Sequence, residues 1–161
     1  MMIDMNTEDI TRSFFQLTNF DLPAPQGINN LNEWIECASP YAILAHNKDD
    51  DPQFVYANQT AIEAFAYPIN EIIGLKSKFS ATEKDRTERS ILLKQVKERG
   101  IAFNYSGPRV NKLGEIFQIH HGIVWNVYNL NQQEIGQAAL FWREENPPIW
   151  FKSVIDQIQV K

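Results

Sequence analysis

Residues 52–65 read Pro52-Gln53-Phe54-Val55-Tyr56-Ala57-Asn58-Gln59-Thr60-Ala61-Ile62-Glu63-Ala64-Phe65. The first half is aromatic and β-branched, which suits a strand, and the period of the apolar residues changes at Asn58. Asparagine is among the best N-cap residues because its side-chain oxygen accepts from an amide two or three positions on, so a helix is expected from Gln59. Ile62, Phe65 and Ala66 then fall at i, i+3 and i+4, an apolar stripe that would lie back on the sheet holding the preceding strand. Strand, cap and helix form one unit.

Upstream, Tyr41 to His46 is a short apolar run that fits a first strand, joined to the second by the polar turn of residues 47–52. Asp49, Asp50 and Asp51 lack the alternating ligands and the later glutamate of a calcium loop, so they read as a solvated turn and no metal site is expected. Two short amphipathic helices precede the sheet. One, over residues 7–17, carries Ile10, Phe14 and Leu17; the other, over residues 31–38, carries Leu31, Trp34 and Ile35.

Downstream, residues 68–74 form a short helical turn closed by Gly74. Ser80-Ala81-Thr82-Glu83 is a capping box that opens the longest helix, which carries Leu92 and Val96 and stops at Gly100. The period then changes to two, giving three strands, the first from Ile101 to the hairpin turn of residues 110–115 with Gly114 in it, the others over residues 116–128 and 134–142. Strict alternation puts Phe117, Ile119, His121, Ile123, Trp125 and Val127 on one face of the middle strand. It groups Arg109 with Ile101, Phe103 and Tyr105 on its neighbour, and leaves Ile116, Val124 and Tyr128 for the sheet's outer side. Gly136, Ala138 and Ala139 leave room for a close neighbour on the last strand. The tail opens on Asn146-Pro147-Pro148 and carries Trp150, Phe151, Val154, Ile155 and Ile158 as one apolar stripe.

A chain of 161 residues has room for one domain plus end segments. Hydrophobic residues at 43% and charged residues at 22% argue against both disorder and a membrane span. The net charge of −5, with no Lys/Arg cluster, argues against direct nucleic-acid binding. Cys37 is the single cysteine, which excludes an internal disulfide and a thiolate zinc site. The acidic start lacks the apolar run of a signal peptide, so a cytoplasmic protein is expected.

This order of elements, with Tyr56-Ala57-Asn58-Gln59-Thr60-Ala61 at a strand-to-helix junction, resembles a PAS-like domain. Residues 51–58, Arg86-Thr87-Glu88-Arg89, Gly107-Pro108-Arg109, Gly114-Glu115-Ile116-Phe117, Val124-Trp125-Asn126 and Gly136-Gln137-Ala138-Ala139 are similar to the MEKHLA domain, a PAS-related family. The resemblance implies an α+β fold with a five-stranded antiparallel sheet, order 2-1-5-4-3, and helices over one face enclosing a small pocket. The PAS-like MEKHLA domain would span residues 39–143, with an N-terminal helical extension, 1–38, and a C-terminal amphipathic helix, 144–161. It also implies a sensory or protein-interaction module without catalytic residues, whose output acts through a separate protein.

Relatives that form a flavin-cysteine bond place the cysteine after the first strands, and haem-binding ones take a histidine from the long helix. Neither residue stands at those places here, so covalent flavin and helix-ligated haem are disfavoured and the cofactor is left unassigned. The ligand-binding candidates are Tyr56, Arg109, His121 and Trp125, enclosing a small anionic or partly apolar molecule, with Asn58 as the structural cap. The plainer reading pairs Arg109 with an internal carboxylate and hydrogen-bonds His121 within the core. A small hydrolase or isomerase using His121 is the alternative function, and a purely structural oligomerising subunit a second. A homodimer is expected, built from the terminal helices and the open outer face of the sheet; the alternative is docking of those helices on the same face of their own chain.

Overall fold

The computed structural model describes residues 4–80 and 85–159, and of residues 85–89 the backbone alone. The chain runs α1 (Thr7–Thr18), α2 (Leu31–Cys37), β1 (Ala42–His46), β2 (Phe54–Ala57), α3 (Gln59–Phe65) and α4 (Ile69–Ile72). After a 3-10 turn (Ser77–Ser80) come α5 (Asp85–Arg99), β3 (Ile101–Val110), β4 (Ile116–Tyr128), β5 (Glu134–Trp142) and α6 (Ile149–Gln159). The five strands pair antiparallel in the expected order, β2-β1-β5-β4-β3. The capping box expected at residues 80–83 lies outside the described residues from Ala81 onward. Gly100 ends α5 at φ 83, its N–H donating to the Val96 carbonyl over 2.7 Å.

Asn58 caps α3 and does more. Its Oδ1 accepts from Ala61 N at 3.0 Å and from Ile43 N at 2.9 Å, while Nδ2 donates to the carbonyls of Ile35 at 2.9 Å and Tyr41 at 3.1 Å. One buried amide thus ties the end of α2, the start of β1 and the first turn of α3, and every polar atom of it has a partner.

Helices cover both faces of the sheet. On the inner face α3, α4 and α5 pack over Leu44, Phe54, Ile119, Val124 and Phe141. On the outer face α1, α2 and α6 bring Phe14, Ile35 and Phe151 against Tyr41, Ile43, Trp125 and Leu140. Within α6, Phe151 and Ile155 are buried and Trp150 and Ile158 partly so, all in this second core. The apolar stripe that argued for a homodimer is therefore satisfied within the chain. The docking of terminal helices onto their own sheet, the alternative arrangement, is the one this fold adopts.

Two irregularities in the β3–β4 pair decide which side chains meet which layer. Ala102 stands opposite Val124, Tyr105 opposite Gly122 and Gly107 opposite Ile119. Each strand therefore holds one extra residue here, and the left-handed backbones fall at Asn104, φ 62, and His121, φ 55. An extra residue shifts the odd-even alternation by one. Phe117 and Ile119 consequently belong to the inner layer, while Ile123, Trp125 and Val127 belong to the outer one. Phe103 and Tyr105 are divided in the same way, and Val124 faces inward. This corrects the single continuous face expected for each strand.

Candidate ligand-binding site

Between the inner face of the sheet and helices α3 and α5 lies a cavity of about 60 Å³. Its apolar wall comes from Phe54, Phe65, Leu92, Ile119, Val124 and Phe141, of which Ile119 and Val124 are turned inward by the register just described. Tyr105 crosses above Gly122. A Cβ on that glycine would stand 2.8 Å from the Tyr105 carbonyl oxygen, so the paired bulges leave no space for a side chain there. Arg109, also on this wall, is 9% exposed. Its guanidinium donates to Tyr105 Oη at 2.9 Å and to the Pro108 carbonyl at 2.8 Å, and lies 5.0 Å from the centre of the Tyr105 ring.

The far end of the cavity is polar. His46 of β1, Gln137 of β5 and Asn126 of β4 form one cross-strand row, eight strand pairings away from the Arg109 end as judged by Phe117 opposite Arg109 and Asn126 opposite Gln137. Gln137 Nε2 donates to Asn126 Oδ1 at 3.2 Å, and Asn126 Nδ2 donates to the Val96 carbonyl at 3.4 Å. Among the described residues, buried Gln137 Oε1 finds no hydrogen-bond partner. His46 Nδ1 lies 2.8 Å from the Asn47 carbonyl, an acceptor only, so that nitrogen carries a proton. Gly136 lets this row close up, since a Cβ on it would collide with the His46 carbonyl oxygen.

Of the four residues expected to share a pocket, Arg109 alone lines this one. Tyr56 and Trp125 lie on the outer face, in the core beneath α1. Tyr56 Oη shares a hydrogen bond of 2.9 Å with Thr7 Oγ1, and Trp125 Nε1 donates to the Ile10 carbonyl at 3.1 Å. Burial pushes the Tyr56 phenol up to about 12, opposed in part by the Thr7 hydrogen bond, and raises that of Tyr41 still more. His121, on its bulge, faces an outer groove beside α6 with Phe103, Ile123 and Phe151, its Nε2 donating to the Glu145 carbonyl at 2.6 Å. The bulges caused the misplacement of Trp125 and His121. Gln137 was not singled out from sequence; the signal available was a lone amide within the otherwise apolar run of β5.

Cys37 is exposed in α2 and does not line the cavity. Sites for drug-sized ligands run to about 300–1,000 Å³, so neither the residues nor the space here fit a flavin held by cysteine or a haem. Asp51 is ion-paired with Lys76 at 3.0 Å and Lys78 at 3.4 Å, and the hydrogen bond from Lys76 leads in holding its carboxyl below the usual range. Among the described residues no group of His, Cys, Asp and Glu is placed to hold a metal, and no helix is long and apolar enough to cross a membrane.

A five-stranded sheet of this order, with helices and a cavity on its inner face, is the architecture of the PAS fold. Solved structures share the architecture at low identity. A PAS domain from Colwellia psychrerythraea matches with a TM-score of 0.58 at 15% identity, over 68% of this chain and 89% of its own. A light-oxygen-voltage domain of a blue-light-activated histidine kinase from Erythrobacter litoralis matches with a TM-score of 0.54 at 16% identity, over 64% of this chain and 94% of its own. An RNA-binding light-oxygen-voltage receptor matches with a TM-score of 0.57 at 18% identity, over 86% of this chain and 39% of its own. Residues 5–145 match the MEKHLA domain, and the chain belongs to that family. The match takes in α1 and α2 as well as the sheet. No curated protein matches the chain in sequence.

Proposed function

We propose that this chain is a PAS-like sensory domain that takes a small, largely apolar ligand into the cavity between sheet and helices and signals to a separate protein. The observation that carries the reading is the cavity itself: an apolar wall with polar groups at its two ends, in a fold whose other face is filled by its own helices. Arg109 supplies the positive end, so short carboxylates belong among the ligands to be tried beside neutral alcohols and amides. A catalytic role for His121 finds no support in its position, with Nε2 committed to a backbone carbonyl outside the cavity.

The test is native mass spectrometry of protein purified from its own host, with an Ala139→Leu variant as control because Ala139 lines the cavity. A small bound mass that is lost on denaturation and missing from the variant supports the reading. No bound mass, together with no change of melting temperature across a panel of small alcohols, amides and carboxylates, overturns it.

A further inference from the structure

Phe54, Phe65, Leu92, Ile119, Val124 and Phe141 surround the inner cavity and all six are buried, so the space they enclose is bounded chiefly by hydrocarbon. The polar side chains on the same wall are committed to the protein. The Arg109 guanidinium donates to Tyr105 Oη and to the Pro108 carbonyl, Ser80 Oγ donates to the Ser77 carbonyl, and His46 Nδ1 donates to the Asn47 carbonyl. Gln137 holds Asn126 through Nε2, and its oxygen, itself buried, offers the space no surface. A polar molecule that entered would give up its hydrogen bonds to water and regain little, whereas an apolar one has none to lose.

We propose that the ligand is a neutral, apolar molecule of two or three heavy atoms, the class that holds dissolved gases and the two-carbon hydrocarbons. This deepens the pocket reading above and rests on it. The size follows from the space: an engineered apolar cavity of about 150 Å³ takes a benzene, so about 60 Å³ takes roughly two or three heavy atoms. So few atoms also set the strength. The best ligands of this size reach roughly millimolar dissociation constants, so occupancy would follow the dissolved concentration over that range.

The experiment is an NMR titration of the full chain with ethane, methanol, formate and isobutane at equal millimolar concentration, the gases dissolved under pressure. It follows the methyl groups of Leu44, Leu92, Ile119 and Val124, which line the space. Ethane and methanol match in size and differ in the hydroxyl; formate adds a charge, and isobutane is apolar but larger. Ethane is expected to shift these methyls with a dissociation constant of roughly one to ten millimolar. Methanol and formate are expected to bind roughly tenfold more weakly or worse, and isobutane to leave the methyls unmoved. In Ala139→Leu, which fills the space from β5, the ethane shifts are expected to vanish. Methanol or formate binding as tightly as ethane overturns the apolar rule, and isobutane doing so overturns the size rule; either result leaves the pocket reading standing. Ethane shifts that persist in a folded Ala139→Leu put the ethane outside the cavity and overturn the proposal. If none of the four moves these methyls, the pocket reading falls and the proposal with it. The wild-type comparison decides even where the variant does not fold.

Discussion

The two faces of one sheet are finished differently. On the outer face the buried rings of Tyr41, Tyr56 and Trp125 each have a partner for their polar tip, in Pro23, Thr7 and Ile10. Among the described residues, Trp142 Nε1 and, on α1, Arg12 Nε find no partner on this side. Tyr41 alone lies 5.7–6.4 Å from four other aromatic rings, those of Trp34, Trp142, Trp150 and Phe151. The inner face is built from similar residue types but keeps a cavity. Filling the inner face as well would gain dispersion contacts. The contrast places the fuller aromatic packing on the outer side and the open space on the inner.

The comparison breaks most visibly at Trp125. Its replacement by alanine removes a fully buried ring, its edge contact with Phe14 at 5.2 Å and its bond to α1, and is expected to cost about 3–5 kcal/mol in urea unfolding. A loss under about 1 kcal/mol would mean that the outer face is not the stable one.

Alkali tests the same face next. A tyrosine in the unfolded chain loses its proton near pH 10, whereas Tyr56 in the fold holds its proton to about 12. The stabilisation is therefore complete below pH 10 and declines as pH rises from 10 to 12, and Tyr41, raised by burial, adds in the same direction. The urea midpoint should fall across this window and fall less steeply in Tyr56→Phe; equal slopes would remove Tyr56 from the account.

On the inner face, Ala139→Leu adds side-chain volume beside the cavity, and its expected effect on stability lies within about 1 kcal/mol of zero, against the 1–3 kcal/mol that overpacking costs in a filled core. Calorimetry showing the larger loss would mean that the space is not available to a ligand. The smallest effect is expected at the bulge, where His121→Gly relieves a left-handed backbone at a non-glycine residue. A melting temperature that is unchanged or slightly higher agrees with this, and a clear drop would show that the bond to the Glu145 carbonyl outweighs the relief.

The parts legible in sequence were those with local chemistry. Asn58 announced its helix because a cap is a matter of three residues, and Gly100 and Gly114 marked turns that need positive φ. The sheet order came through resemblance. What failed was counting along β3 and β4, because Asn104 and His121 hold left-handed backbones without being glycine, and the mild preference of Asn and His for that region does not mark an extra position. From there Trp125 and His121 were assigned to the wrong layer. The wider role of Asn58 and the partnerless oxygen of Gln137 depend on atoms from distant segments, which no local pattern contains.

The paired bulges also govern how this hairpin can change length. The surplus residues flank the Tyr105–Gly122 pair, one on each strand, so β3 and β4 read in frame on either side of them. Removing one alone would throw everything beyond it out of frame, much as losing a single base does to a coding message; removing both would restore the reading. Length variation here is then permitted only in matched doubles. Deletion of Asn104 together with His121 should leave a folded protein by circular dichroism where either deletion alone does not.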